Sequence, residues 1–350
     1  MRSGRAAAGP PRPGARDIAL EQTVELPEEL VPDTARGMTG SIHSLEPVGR
    51  DRWHAAIDFP LAVTGTEWPQ LMNVLYGNIS LKRGFRLVDI AWPKSLLTAL
   101  GGPGHGVAGL RRLTGVHTRA MLATALKPVG LSATELAERC AAFARGGVDV
   151  IKDDHGLADQ ATAPFAERLA ACQAAVEAAN AETGRRCRYF PNVTAARPKL
   201  LERAAAARAA GCVGVLVNPW LVGPDAMMSL RDEFGLAVLA HPALTGNGIG
   251  GTSGIAADLL LGELFRVAGA DAVIYPNQGG RFGFSRAACE RINHRLRRPL
   301  GGLRAAMPTP GGGMDAACVG AWARRYGHDT LFLIGGSLYA RGNHRRAPSS

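Results

Sequence analysis

Apolar and polar positions follow a regular pattern from residue 121 onward. Eight apolar runs each end in polar or glycine residues, and their starts fall 24 to 39 residues apart. All but the last precede a helix-like stretch, as at Ser132–Ala144, where the opening serine and Glu135 form a capping-box signature. The runs are Met121–Pro128, Val148–Asp154, Cys187–Thr194, Cys212–Pro219, Leu236–Pro242, Asp271–Asn277, Ala305–Gly312 and Thr330–Gly336. This alternation predicts an α/β fold, a closed (β/α)8 TIM barrel over residues 118–340.

The chain ahead of the barrel has a less regular pattern. Strand-like runs at His54–Phe59 and Phe85–Ile90 flank a helical run at Glu67–Tyr76. We therefore expect residues 17–117 to form a small α+β, ferredoxin-like domain.

Both ends of the chain look unlike folded structure. Residues 1–16 are mostly Ala, Gly, Pro and Arg with no acid, which predicts a disordered basic tail. Residues 341–350 are expected to form a second disordered tail. The helix after the last barrel strand is then expected to be missing, which would leave an apolar flank of the barrel uncovered. Either a partner covers this flank or the chain end is an altered reading frame.

Composition narrows the class of protein. The net charge of +10 comes largely from arginines near both ends and dispersed on helices, without the interleaved aromatic residues of a nucleic-acid stacking surface. No apolar run approaches the roughly 20 residues that cross a bilayer. Six cysteines without CxxC spacing indicate buried thiols in a reducing compartment. We expect a cytoplasmic protein with no nucleic-acid or membrane partner and a modest attraction for phosphorylated small molecules.

Candidate chemistry lies at the carboxyl ends of the predicted strands, where such barrels carry their active sites. The second run ends in Lys152, Asp154 and His155. An amine here can take up carbon dioxide as a carbamate, and with Asp154 it would hold Mg²⁺ or another divalent cation. His155 is open to a ligand or a base role. The alternative for this cluster is a surface ion-pair network.

Two further side chains at this rim are candidates for acid–base work. Lys127 ends the first run, where a nearby cation favours the neutral amine and fits it for proton transfer beside a carbonyl. Its alternative is a simple ion pair with the acids of the second run. His241 ends the fifth run and is either an acid–base or orienting group or a buried, hydrogen-bonded histidine.

Glycine clusters end the last two runs. Gly312 and Gly313, with Gly335 and Gly336, predict a phosphate site in which backbone N–H groups approach the anion closely. The loop after the sixth run holds paired glycines and Arg281, which predicts hinge motion. An ordinary connecting loop is the alternative there.

These residues, in this order, resemble the large chain of ribulose-bisphosphate carboxylase, and more closely its non-carboxylating relatives, the RuBisCO-like proteins. The resemblance covers about residues 18–340, and its strongest motif is GGVDVIKDD at residues 146–154. That motif implies a carbamate on Lys152. The motif LKPVGLS implies that Lys127 abstracts a proton, and His241 matches the active-site histidine of the fifth strand.

The resemblance implies further roles outside these strands. The four glycines match the family's phosphate-binding glycines. Asn78, in YGNISLK, matches an asparagine that reaches a partner subunit's active site, which implies a homodimer with shared sites. Arg281 matches the mobile-loop lysine that aids carbon dioxide addition.

Several departures from the family pattern bear on the activity. His155 stands in place of a glutamate that binds the metal, and Val129 stands where a second lysine is expected. Pro242 and Ile274 replace an arginine and a histidine of the second phosphate site. Arg281 replaces the loop lysine and differs from it in geometry. Carbon dioxide fixation on a bisphosphate is therefore not expected, and a substrate with one phosphate is.

The expected enzyme forms a metal-stabilised enolate or enediolate from a monophosphorylated keto-sugar or 3-oxo sugar acid. We favour a carbon–carbon lyase, a decarboxylase of the 3-oxo-isoapionate-phosphate type, from the KDDH and GGRF motifs. An enolase or isomerase of the methionine-salvage type is one alternative. A non-catalytic sugar-phosphate-binding protein is another, and it predicts binding without turnover or metal dependence.

Overall fold

The computed structural model describes residues 2–7 and 11–343, with side chains from residue 14 to residue 339. The strands are β1 Arg2–Ala7, β2 Ser41–Gly49, β3 Arg52–Asp58, β4 Arg86–Ala91, β5 Met121–Leu126, β6 Val150–Asp153, β7 Arg188–Phe190, β8 Gly214–Val217, β9 Ala237–Ala240, β10 Gly254–Ile255, β11 Ala272–Pro276, β12 Met307–Gly311 and β13 Leu331–Leu333. The helices are α1 Pro11–Glu21, α2 Leu61–Thr64, α3 Trp68–Tyr76, α4 Lys94–Leu100, α5 Gly106–Thr114, α6 Ala133–Arg145, α7 Phe165–Thr183, α8 Arg197–Ala209, α9 Pro219–Val222, α10 Ala226–Asp232, α11 Gly246–Ile249, α12 Ala257–Leu259, α13 Phe265–Val267, α14 Arg286–Arg297, α15 Val319–Tyr326 and α16 Gly336–Asn343.

The chain divides into two compact units. The amino-terminal unit runs up to residue 101 and includes residues 244–260 and 300–303. The barrel unit comprises residues 102–243, 261–299 and 304–343. No helix among the described residues is long and apolar enough to cross a membrane.

The amino-terminal unit is a five-stranded sheet in the order β10-β4-β1-β3-β2. Strands β1 to β4 pair antiparallel, and β10 lies parallel to β4. A strand–helix–strand–strand–helix–strand chain with this order is ferredoxin-like, which confirms that prediction. One face is covered by a cluster of apolar side chains: Ile18, Ala19, Ile57, Phe59, Val74, Ile79 and Phe85.

The expectation of disorder over residues 1–16 is wrong where the structure describes them. Strand β1 lies between β3 and β4, so its backbone N–H and C=O groups are paired on both sides. Helix α1 begins at Pro11, and both Pro11 and Pro13 fall in its first turn, where no backbone N–H is needed. Composition alone missed this segment because its place in the sheet depends on backbone pairing.

The barrel unit contains all eight predicted strands. They are parallel and follow the order β7-β6-β5-β13-β12-β11-β9-β8. Residues beyond β7 close the ring, because Val193 N donates to Leu216 O at 3.0 Å and Leu216 N donates to Pro191 O at 2.9 Å. Ser132 caps α6 in the predicted capping box with Glu135. The (β/α)8 barrel is confirmed.

Alternate residues of the strands fill the barrel interior, as the period of two requires. The interior cluster consists of Leu110, Met121, Ala123, Val150, Phe190, Leu216, Ala237, Leu239, Ala272, Ile274, Met307 and Leu331. Leu110 comes from α5, whose first turn donates to the carboxylate of Asp271 through Gly106 N at 2.6 Å. Helix α5 therefore belongs to the barrel, and the division between the units falls near residue 101, not at the expected residue 117.

A helix does follow the last barrel strand, so the expectation of a missing last helix is wrong. Helix α16 begins at Gly336 and runs to Asn343. Its Tyr339 ring meets Phe143 of α6 edge-on, with 5.3 Å between ring centroids. The helix could not be predicted from its short, glycine-containing sequence, because packing on α6 stabilises it and intrinsic helix propensity does not. The tail expected over residues 341–350 is helical as far as Asn343, and the remainder lies outside the described residues.

Candidate active site

Strand β6 sends its side chains alternately into the barrel and out toward the helices. Val150 belongs to the interior cluster, so Lys152 and Asp154 follow it on the same side. Asp153 points the other way, where Arg168 Nε donates to its Oδ2 at 3.2 Å and Tyr189 OH donates to its Oδ1 at 2.7 Å. The predicted pair Lys152 and Asp154 therefore faces the barrel mouth, and Asp153 has a structural role.

Lys152 is almost fully enclosed, with 1% of its surface exposed. Its Nζ donates to the carbonyl oxygen of Asp153 at 2.9 Å. Burial lowers the pKa of Lys152 from 10.5 to about 8, against the attraction of Asp154. A fraction of Lys152 is therefore the neutral amine near neutral pH. This is the form that would react with carbon dioxide or accept a proton from a substrate.

Asp154 connects the first and second barrel strands. Lys127 Nζ lies 2.6 Å from Asp154 Oδ1, and His155 Nδ1 lies 3.6 Å from the same oxygen. Burial raises the pKa of Asp154, but the polar contacts with His155 and Lys127 and the charge of Lys152 outweigh it and hold that pKa well below its usual range. The ion pair considered as the alternative for Lys127 is thus present in this structure.

His241 joins this cluster from the fifth barrel strand. Its ring stacks on the ring of His155, with 4.4 Å between centroids and 10° between planes. Burial, followed by the charge of Lys152, holds the pKa of His241 well below 6.5, so the ring is neutral at physiological pH. Ala243 N donates to its Nδ1 at 3.2 Å, which leaves the proton on Nε2. His241 can therefore donate a hydrogen bond to a ligand oxygen.

The predicted phosphate glycines follow β12 and β13. Gly312 and Gly313 have φ angles of +83° and +70°, a region that favours glycine. Nothing lies within 4 Å of the position that a Cβ would take at Gly312, Gly335 or Gly336. Ser337 Oγ donates to the carbonyl oxygen of Met314 at 3.3 Å and ties the two clusters together. The arrangement agrees with an anion site, and phosphate binding stays a prediction.

Two predicted residues are not joined to this cluster by any described contact. Arg281, in the loop after β11, lies over the exposed ring of Phe282 at 4.9 Å from its centroid. Asn78 lies in a 3₁₀ turn of the amino-terminal unit, where its Nδ2 donates to Glu21 Oε1 at 3.2 Å. Their roles on a mobile loop and in a partner's site stay predictions.

Sequence reasoning missed two groups that position the site. Tyr339 OH accepts a hydrogen bond from Lys127 N at 2.8 Å and donates to Ala125 O at 2.8 Å, which fixes the end of β5. Burial raises the pKa of Tyr339 to about 12, so the hydroxyl keeps its proton. Arg168, fully buried, neutralises Asp153 behind the second strand. Alternation along β6 was the available signal for Asp153, whereas nothing local indicates Tyr339.

The donor set for a cation is small. Over the described residues, no three His, Cys, Asp or Glu side chains come together as a metal site. Asp154 offers a carboxylate and His155 an imidazole nitrogen, and a third ligand arises only if Lys152 carries a carbamate. The buried, readily deprotonated amine fits that modification, so these residues fit a divalent cation that accepts one nitrogen ligand.

Comparison with known proteins identifies the family. The family model described as "Ribulose bisphosphate carboxylase large chain, catalytic domain" matches residues 106–275. The 5-methylthioribulose-1-phosphate isomerase of Rhodospirillum rubrum is 42% identical over 328 residues, which span 93% of this chain and 86% of that protein. The chain belongs to the RuBisCO large-chain family, as a RuBisCO-like protein.

Other relatives of this RuBisCO-like protein agree. The 2,3-diketo-5-methylthiopentyl-1-phosphate enolase of Geobacillus kaustophilus is 30% identical over 348 residues, with 94% of this chain and 84% of that one covered. The crystal structure of a RuBisCO-like protein from Rhodopseudomonas palustris superposes with a TM-score of 0.89 at 39% identity, covering 100% of this chain and 99% of that one. The non-carboxylating branch suggested by the motifs is thereby confirmed.

Proposed function

We propose that this RuBisCO-like protein is an isomerase of a monophosphorylated keto-sugar, with 5-methylthioribulose 1-phosphate as the first candidate substrate. The relative that is 42% identical is named for that activity, and other relatives are named as enolases of a diketo phosphate. Isomerisation therefore takes precedence over decarboxylation of the 3-oxo-isoapionate-phosphate type, which stays a prediction. Both reactions require an enolate, and the observation that carries the proposal is the pairing of Lys127 with Asp154 beside Lys152 and His241.

The proton transfer can be assigned to this chain's own side chains. Lys127, once it has released its proton, removes one from the carbon next to the carbonyl and returns it to the neighbouring carbon. Asp154 holds the amine in place through the 2.6 Å contact. His241 Nε2–H donates to the oxygen that becomes negative in the enediolate. The net change moves one proton between adjacent carbons and the hydroxyl proton from its own oxygen to the former carbonyl oxygen, with no electron donor or acceptor needed.

Charge stabilisation at this rim rests on Lys152, Asp154 and His155. With Lys152 carbamylated, these three residues would hold Mg²⁺ or another divalent cation. A cation bound there supplies positive charge near the carbonyl oxygen. Because Mg²⁺ prefers oxygen ligands, His155 favours a metal that also accepts nitrogen, such as Mn²⁺.

The phosphate belongs at the glycine clusters. Backbone N–H groups around Gly312, Gly313, Gly335 and Gly336 would hold the anion, and the first turn of α16 adds its partial positive charge. Ile274 is buried in the barrel interior, and Pro242 carries no charge at the rim. A single phosphate is therefore the better fit.

Asn78 supports a proposal about assembly. The motif resemblance implies that this residue reaches a partner subunit's site, and on that basis we propose a homodimer with shared active sites. Asn78→Ala and Lys127→Met would each be inactive alone, while mixed dimers of the two variants would regain part of the activity because one intact site forms. Two inactive variants that stay inactive after mixing and refolding would contradict shared sites.

The function is tested by incubating the purified protein with 5-methylthioribulose 1-phosphate, bicarbonate and Mg²⁺ or Mn²⁺, and following products by ³¹P NMR. A parallel arm with 3-oxo-isoapionate phosphate measures released carbon dioxide. An isomeric monophosphate is expected in the first arm, lost in Lys152→Met and kept in the control Lys199→Met, an exposed lysine of α8. Tight binding without turnover in either arm would favour the non-catalytic alternative.

A further inference from the structure

Asn218 follows β8 at the carboxyl end of the fourth barrel strand, and its side chain has no role so far. Only 1% of the residue is exposed. Leu216, two residues earlier, belongs to the interior cluster, so Asn218 faces the inside of the barrel at the level of its mouth. The neighbouring strand carries His241, whose backbone N donates to Val217 O at 2.8 Å. Asn218 therefore lies beside the proton-transfer groups.

The orientation of the Asn218 amide is fixed by a directional chain of hydrogen bonds. Asn218 N and Nδ2 both donate to Thr194 Oγ1, each at 3.0 Å. The Thr194 hydroxyl uses its single proton on Asn192 Oδ1, at 2.6 Å. Thr194 can therefore only accept from Asn218, which requires the Asn218 NH₂ group to face it and Oδ1 to face away.

The chain is anchored at its far end by backbone. Asn192 Nδ2 donates to the carbonyl oxygens of His155 at 3.1 Å and Leu157 at 2.9 Å. Two carbonyl acceptors fix which end of the Asn192 amide is nitrogen. The direction of every bond from the His155 loop to Asn218 follows from this anchor.

Asn218 Oδ1 is left without a donor anywhere in the described part of the chain. A buried carbonyl oxygen with no partner is destabilising, and such groups are rare in native proteins unless a ligand or an ordered water completes them. The partner must donate a hydrogen. Phosphate and carbonyl oxygens cannot do so, whereas a hydroxyl can.

We propose that Asn218 Oδ1 accepts a hydrogen bond from a hydroxyl group of the bound substrate, so that Asn218 selects for a hydroxylated carbon chain. This inference rests on the proposed function, since a keto-sugar monophosphate supplies such hydroxyls next to its reacting carbons. The Asn192–Thr194–Asn218 chain then links substrate recognition to the backbone that carries His155.

Binding of a non-reacting analogue tests the inference. The probe is the pentitol 1-phosphate made by reducing the carbonyl of 5-methylthioribulose 1-phosphate, together with its 3-deoxy and 4-deoxy forms, measured by calorimetry. Removing the matched hydroxyl is expected to weaken binding to the wild type about 10-fold. Asn218→Leu should weaken binding of the parent probe by a similar factor. The Asn218→Leu variant should bind the probe that lacks the matched hydroxyl as tightly as it binds the parent probe.

A second readout separates ligand binding from structure. Without ligand, Asn218→Leu should melt within about 2 °C of the wild type or above it, because it removes an unpaired carbonyl. The control Asn180→Leu should melt several degrees lower, since both ends of the Asn180 amide are bonded to Cys187. Asn218→Ala gives the same comparison if the leucine variant does not fold.

The outcomes are distinct. The loss of affinity caused by removing the hydroxyl and the loss caused by Asn218→Leu could simply add when both changes are combined. That result would overturn this inference alone, because the Asn218 carbonyl then meets water or protein and not the substrate hydroxyl. A melting point as low as that of Asn180→Leu would also overturn it. Failure of the wild type to bind the parent probe would overturn the proposed function, and this inference with it.

Discussion

Replacing Lys152 with methionine removes a buried amine from the barrel and keeps an unbranched side chain of similar length. Burial lowers the pKa of Lys152 in the folded protein from 10.5 to about 8, so folding disfavours the ammonium form. This penalty is fully present below pH 8 and disappears as the pH rises toward 10.5, because the unfolded chain then also loses the proton. Lys152→Met should therefore be more stable than the wild type at neutral pH.

The size of the gain follows from the same values. The difference between 10.5 and about 8 corresponds to about 3–4 kcal/mol at roughly 1.4 kcal/mol per pH unit. The hydrogen bond from Lys152 Nζ to Asp153 O is also lost, at a cost of about 1 kcal/mol. We expect the free energy of unfolding to rise by about 2–3 kcal/mol at pH 7 and by about zero near pH 10.

Urea unfolding followed by circular dichroism, in buffers purged of carbon dioxide at pH 7 and pH 10, measures this change. Lys199→Met is the control, because that side chain is 61% exposed and its removal should leave both curves unchanged. A variant less stable than the wild type at pH 7, or a gain of equal size at both pH values, would refute the reasoning about the buried amine.

Three further changes test other parts of the molecule. Arg168→Met leaves a buried carboxylate uncompensated and should lower the free energy of unfolding by about 3–5 kcal/mol in urea titrations; a loss below 1 kcal/mol would contradict a buried ion pair. Tyr339→Phe removes the acceptor for Lys127 N, so kcat should fall about 10-fold with KM unchanged; an equal rise in KM would point to a different role. Gly312→Ala, at φ +83°, should cost about 1–2 kcal/mol of stability and weaken phosphate binding measured by calorimetry. The control Gly184→Ala, at φ +69°, should lose similar stability and no phosphate affinity.

The barrel could be predicted because its strands are continuous apolar runs whose ends carry the polar residues. Lys152 and Asp154 were also predictable, since alternation along β6 places both on the side of Val150. These features depend on residues that are close together in the sequence. Local sequence patterns were therefore enough to predict the eight strands and most of the acid–base cluster.

Other features depend on distant partners and could not be predicted. Strand β1 is defined by its pairing with β3 and β4, and α16 by its packing on α6. The hydrogen bonds among Asn192, Thr194 and Asn218 join two strands, and their direction is set by backbone acceptors at residues 155 and 157. Sequence indicated polar residues at these strand ends, but it could not indicate which atoms remain unpaired.

We propose that this site removes and returns a proton at a carbon next to the carbonyl of a sugar monophosphate. Solvent exchange measures that step directly: 5-methylthioribulose 1-phosphate is incubated with the protein, bicarbonate and a divalent cation in D₂O and examined by mass spectrometry. We predict deuterium on carbon in recovered substrate and product with the wild type and none with Lys127→Met. Folded wild-type protein that exchanges no carbon-bound hydrogen, or Lys127→Met that exchanges as fast, would contradict the account.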